Sequence, residues 1–216
     1  MDLIYKIFIA NGAWQTILNG IWATVQISAL SLIFGTILGA LICFFRVGKI
    51  KPLKIFAQVY VAIVRGSPVL MLLMLLFYGV FARSGFSPIA VAVITFSLHT
   101  AAHVAELLRA ALMAIDTGQV EAARTLGFSK FQTFKIVVLP QIFKIAKPVY
   151  QSTIINLIQW TSVVGYVTIT DLTRVINNIA ARTMQPMITI IGGMVIYLAL
   201  SYVVQGIFKL TEGETK

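Results

Sequence analysis

Five stretches of this sequence, 20–45, 56–81, 88–113, 148–166 and 187–208, carry almost no charge, and most lysines and arginines lie in the gaps between them. About twenty consecutive apolar residues is the length that crosses the hydrocarbon core of a bilayer as a helix. Hydrophobic residues make up 59% of the chain and charged ones only 11%, against about a quarter in soluble domains. A mean hydropathy of +0.92 agrees. The expected fold is an all-α integral membrane protein, one transmembrane domain over residues 1–216 with five transmembrane helices. Residues 1–13 are too short to span. Leu3, Ile4, Ile7 and Phe8 fall on one side there, which suits a helix lying in the interface.

The net charge of +10 does not indicate nucleic acid, because the basic residues form no stripe with exposed aromatics. Their distribution fits membrane topology instead. Arg46, Lys49, Lys51 and Lys54 put the first loop inside. Arg124, Lys130, Lys135, Lys144 and Lys147 then fall inside as well, and only Lys6, Arg83, Arg174 and Arg182 fall outside. The N-terminus is expected outside and the tail, Lys209 to Lys216, inside. The single cysteine, Cys43, reads as packing filler, with no disulfide or metal spacing. No cleaved signal peptide is expected, and no phosphate-binding Gly-x-x-x-x-Gly-Lys-Ser/Thr occurs.

Polar residues inside the apolar runs are costly and need a reason. His103, Glu106 and Arg109 fall on one face of the third span, where they can form a hydrated pathway or a neutralising salt bridge. His99 and His103 are four residues apart, but the chain has no further histidine for a metal or haem site, and neither is expected. Arg65-Gly66-Ser67-Pro68 interrupts the second span and predicts a kink, with lining of a pathway as the fuller reading. Gly35 and Gly39 either permit close helix contact or merely reflect the abundance of glycine in such helices. Residues 167–186 predict an amphipathic helix capped by Thr170 or Asp171, with Leu172, Val175, Ile176 and Ile179 on its apolar side.

The stretch Gln119 to Gln141 mixes charge with apolar residues between two spans. Glu121 to Leu126 favours a short helix stopped by Gly127, with a second run, Phe131 to Val138, ending at Leu139-Pro140. Ala122, Ala123 and Gly127 leave one face nearly bare. The stretch is either a surface helix–turn–helix offered to a partner or an ordinary connection. Glu121-Ala122-Ala123, Gly127, Val137 and Leu139-Pro140 stand at the spacing of a known signature, and the stretch resembles the EAA loop of ABC-type importer permeases. Val137 stands where that family usually has isoleucine. The resemblance implies a coupling helix docked on an ATPase subunit, with Glu121, Ala122, Ala123, Leu126, Gly127 and Phe128 as its contacts and about 114–140 as the coupling loop.

Three further stretches resemble polar amino acid permeases: Ala102-His103-Val104-Ala105-Glu106-Leu107-Leu108-Arg109, Arg65-Gly66-Ser67-Pro68, and Gln159-Trp160-Thr161-Ser162. The resemblance implies a substrate pathway through Arg65, Ser67, His103, Glu106, Arg109, Gln159, Trp160 and Thr161. Two departures bear on it. His103 replaces a tyrosine, and Gln159-Trp160 replaces Lys-Asp, removing a carboxylate suited to an ammonium group. Trp160 could supply a cation–π face of about 0.5–2 kcal/mol instead. The implied protein is the permease subunit of an importer in a bacterial cytoplasmic membrane. Its implied partners are two ATPase subunits carrying ATP and magnesium, an identical or similar second permease, and an extracytoplasmic binding protein. No catalytic residue, cofactor or metal is expected in this chain. The other classes are a membrane anchor of a redox enzyme, for which cofactor ligands are missing, and a secondary transporter, for which an internal repeat is missing.

Overall fold

The computed structural model describes residues 2–210, so the expected inside tail beyond Leu210 lies outside the described residues. Nearly all of the described residues are helical. α1 (Asp2–Phe8) leads through a single tight turn into α2 (Ala13–Val47). At 35 residues α2 is about 52 Å long, well beyond the roughly 30 Å hydrocarbon layer. It begins seven residues before the expected span. The polar and aromatic residues Trp14, Gln15 and Asn19 hid that first part, although they form helix once the segment packs. α1 does not lie free in the interface: Ile7 is buried with Ile17, Leu172, Val175 and Ile176, while Ile4 faces outward. The side chain of Leu3 lies outside the described ones.

α3 (Lys51–Gly66) and α4 (Val69–Met74, continued by a wide turn over Leu75–Val80) form the second expected span. The break between them is a bend of 108°, far more than a kink. Pro68 excludes helical backbone from the residue before it, and Ser67 is accordingly extended at φ −97°, ψ 139°. α5 (Pro88–Met113) starts at a Ser87 cap with proline at its first position. Gly35 and Gly39 are where α2 crosses it. A Cβ at Gly35 would sit 2.7 Å from Thr100 Cβ, and one at Gly39 2.7 Å from Val104 Cβ and 2.8 Å from the Ala101 carbonyl. Close helix contact is therefore the role of this pair. α3 joins the other face of α5 through Ala57, Val61 and Val64 against Ala101, Ala102 and Ala105, and the Tyr60 hydroxyl donates to the Leu98 carbonyl at 2.6 Å.

After α5 come α6 (Thr117–Thr125), α7 (Lys130–Thr133) and α8 (Leu139–Trp160). The second helical run does not end at Leu139-Pro140. A π-type turn over Phe134–Val138 joins α7 to α8. Pro140 has no N–H and crowds the preceding turn, and the wider turn makes room for it. α8 therefore begins before the expected fourth span and holds Pro148 in its interior. Thr161–Val167 continues as 3-10 turns to Thr168, and α9 (Leu172–Thr183) and α10 (Pro186–Leu210) complete the chain. Asp171 caps α9, and Leu172, Val175, Ile176 and Ile179 are buried as the periodicity expects. Among the described residues, α2, α5 and α10 are each long and apolar enough to cross a membrane, and the bent α3–α4 pair qualifies as one span. α8, about 33 Å long, falls short on apolarity because Lys144 and Lys147 lie in its first half.

Candidate functional site

α5 positions the charged group. Glu106 and Arg109, one turn apart, form an ion pair through Arg109 Nη2 and Glu106 Oε1. The other carboxylate oxygen binds Arg46 Nη1 from the end of α2, and Arg65 Nη1 from the end of α3 stands 3.8 Å from it. One carboxylate thus faces three guanidiniums. Glu106 is about a fifth exposed, while Arg65, at 42%, opens most to the surroundings. Sequence reading missed Arg46, which it used only to orient the chain. The signal was present: no Asp or Glu occurs between Asp2 and Glu106, so Glu106 is the first possible counter-ion after both Arg46 and Arg65.

One and two turns earlier on α5, His103 and His99 meet Trp160 from the end of α8. His99 packs edge-on against the Trp160 ring at a centroid distance of 4.4 Å, and His103 lies tilted against it at 5.1 Å. The two imidazoles are 5.0 Å apart. His99 Nδ1 is buried without a hydrogen-bond partner. Trp160 is half-buried, and the two histidines lie against it. His99 entered the sequence reading only as a rejected metal ligand, and its contact with a residue sixty positions away leaves no local signature.

The Ser67 backbone bonds to His99, while the hydroxyls of Ser67 and Thr161 turn to their own helices. The Ser67 hydroxyl donates to the Ile63 carbonyl at 2.7 Å, and Thr161, fully buried, donates to the Ile158 carbonyl at 2.6 Å. Gln159 is exposed, while Trp160 beside it turns inward against a buried cluster around Phe96 and Leu157. The structure thus brings Arg65, His103, Glu106, Arg109 and Trp160 onto two adjoining clusters and leaves Gln159 apart.

The central loop builds a second candidate surface. Asp116 caps α6 by accepting from the Gly118 amide. At the other end Gly127 adopts φ +87°, the Phe128 amide donates to the Ala123 carbonyl, and the Gly127 amide donates to the Arg124 carbonyl. That pair of bonds is a Schellman closure, the stop expected of Gly127. Ser129 and Gln132 cap α7 reciprocally. Gln141 Nε2 donates to Gln119 Oε1 at 2.7 Å and ties the two ends of the loop together. Ala123 is buried within the chain and so is withdrawn from the bare face expected of it. Glu121, Ala122, Leu126 and Gly127 are exposed and Phe128 is half-buried. Leu126 at 78% and Phe131 at 73% exposure make the protrusion apolar.

Outside the spans, burial pushes the Asp171 carboxyl above its ordinary value, against the lowering effect of the Arg174 and Thr173 amides that it caps. The Thr173 hydroxyl pairs with that of Tyr197 at 2.9 Å, so α9 is pinned to α10.

A family model described as a binding-protein-dependent transport system inner membrane component matches residues 31–214. The L-cystine transport system permease protein of Bacillus subtilis is 34% identical over 190 residues, covering 88% of this chain and 79% of that protein. The histidine/lysine/arginine/ornithine transport system permease protein of Escherichia coli is 28% identical over 208 residues, covering 90% and 86%. Among solved structures, an amino acid ABC transporter with histidines superposes with a TM-score of 0.83 at 28% identity, covering 93% of this chain and 94% of that one. The methionine ABC transporter MetNI, in an inward-facing conformation, superposes with a TM-score of 0.76 at 21% identity, covering 96% and 100%, and shares the fold.

Proposed function

The chain belongs to the family of binding-protein-dependent transport system inner membrane components, and on that premise we propose that it carries polar amino acids across the membrane as the permease subunit of an ATP-driven importer. It is a membrane subunit and not itself an enzyme; ATP hydrolysis belongs to a partner ATPase. The observation that carries the reading is α6. A nine-residue helix, closed at both ends and set between two membrane helices, holds Leu126 out beyond its last turn. An exposed leucine on a rigid knob is what a groove in a partner can grip. Two ATPase copies, a second permease and an extracytoplasmic binding protein complete the proposed assembly. ATP-driven closure of the ATPase pair would move α6, and with it α5 and α8, to alternate access. The proposed orientation places the N-terminus outside and α6 on the cytoplasmic side.

Relatives named for cystine, glutamine and basic amino acids support an amino acid substrate. Glu106 is shared by arginines, which leaves the cluster with surplus positive charge and Arg65 with free donor capacity. Arg65 is therefore the proposed contact of the substrate carboxylate, and the histidine–tryptophan cluster bounds the compartment beside it.

The test is uptake into proteoliposomes holding the complex purified through this chain. Labelled cystine, glutamine and arginine are supplied with the binding protein, with and without ATP. ATP-dependent uptake of at least one, lost in Leu126→Asp while the complex stays folded, is the expected result. Uptake of none, or uptake unchanged by Leu126→Asp, contradicts the proposal. Leu126 is a cleaner probe than Gly127, where the positive φ strains any side chain.

A further inference from the structure

We propose that the crevice between the loop-side ends of α2, α3 and α5 binds a phosphate group, supplied by an anionic phospholipid of the adjoining leaflet. The cavity is about 310 Å³ and is lined by Arg46, Val47, Lys54, Gln58, Arg109 and Met113. This lies at the small end of ligand pockets, roughly 300–1,000 Å³. Three elements place the cations at one level: Arg46 is the penultimate residue of α2, Lys54 lies in the first turn of α3, and Arg109 in the last turns of α5.

Charge points to an anion. Glu106 is the one carboxylate paired with these cations among the described residues, and it is already divided between Arg46, Arg65 and Arg109. Lys54 has no ion pair among the described residues. Hydrogen bonding points the same way. A guanidinium has five donors, and Arg109 uses Nη2 on Glu106 and Nη1 on the thioether of Met113, a weak acceptor. Its Nε is buried with no partner, so the hydrogen-bonding capacity of this guanidinium is not met within the chain. A phosphate carries charge and several acceptor oxygens, and arginine matches its geometry.

The rim selects the source. Val47 is 50% exposed and Met113 72% exposed, so the crevice opens between apolar side chains at a membrane boundary. A free phosphate ion gains nothing from such a rim, whereas a lipid lays its glycerol and acyl chains there while its headgroup enters the basic crevice. Basic pockets between membrane helices on the cytoplasmic side are a recognised setting for anionic headgroups.

Lys54 is exposed and takes no part in the substrate or coupling surfaces, so changing it leaves the fold and those surfaces intact. The test is native mass spectrometry of the complex purified in mild detergent and incubated with phosphatidylglycerol or phosphatidylcholine. Wild type is expected to retain phosphatidylglycerol over phosphatidylcholine. Lys54→Gln should lower that retention about fivefold, the effect of one basic group near an anionic surface. Lys54→Glu should lower it further, and Lys54→Arg should keep it. Equal retention of phosphatidylglycerol by wild type and Lys54→Glu overturns the site. Thermal stabilisation of lipid-stripped protein by inorganic phosphate, dependent on Lys54 but without retained phosphatidylglycerol, overturns the lipid as its source.

Discussion

Arg46 and Glu106, sixty residues apart in sequence, form an ion pair that joins the end of α2 to α5. Arg109 holds the other oxygen of the same carboxylate from within α5, and Arg65 approaches from α3. A pattern that reads in sequence as an i, i+3 pair is thus a junction of three helices. It stands just where Gly39, two turns before Arg46, brings the α2 and α5 backbones together.

Removing the carboxylate should therefore cost more than removing any one arginine. Glu106→Gln leaves three guanidiniums facing one another in a poorly hydrated place, for an expected loss on the order of 2 kcal/mol. Arg109→Gln leaves Glu106 with Arg46 and Arg65 and should cost less. The double change Glu106→Gln with Arg109→Gln should stay near the Glu106→Gln value, because Arg46 and Arg65 remain unpaired. Thermal unfolding of the purified protein measures all three. Recovery of the double variant to wild-type stability would reduce the junction to a private pair on α5.

Gly39→Leu should separate α2 from α5. The site has backbone on one side and Val104 on the other, neither able to withdraw, and overpacking of this kind typically costs about 1–3 kcal/mol. Gly206→Leu is the control, since nothing stands within 4 Å of its would-be Cβ. Equal melting temperatures for the two variants would contradict the close contact.

Asp171 gives a prediction with a sign. Its carboxyl is raised by burial, so the folded protein holds the proton more tightly than the unfolded chain does. Stability from this group is then lost as pH climbs from the ordinary carboxylate range through the raised value. Asp171→Asn keeps an acceptor for the Thr173 and Arg174 amides and removes the buried charge. It should match or exceed wild type at neutral pH, with a flatter pH dependence of the melting temperature. Asp171→Ala loses the cap, about 1 kcal/mol. An asparagine variant that falls as far as the alanine one would show that the charge itself is needed.

Much of this was legible in the sequence, for local reasons. Apolar runs located the spans, the Asp171 cap and the spacing of Leu172, Val175 and Ile176 located α9, and Gly127 marked the end of α6, because each depends on neighbours in sequence. What escaped depends on partners far away. Whether Ala123 is offered or buried is decided by how the loop folds back on itself. The depth of the bend at Pro68 is set by the packing of α4 against α5 and the 3-10 turns after α8, and Pro140 was read as an end because its π-type turn has no composition of its own. Arg46 resembled any other basic residue after a span until α5 placed a carboxylate beside it.

The most direct test of α6 as the link to an ATPase is a site-specific crosslink. Cys43 is the only cysteine and is buried, so Leu126→Cys in a Cys43→Ser background carries one exposed thiol. In native membranes expressing the whole complex, that thiol is predicted to crosslink to the ATPase chain with a short thiol–amine reagent. It should also be protected from membrane-impermeant label added outside. Labelling of the thiol from outside, with no crosslink to an ATPase chain, would contradict the account.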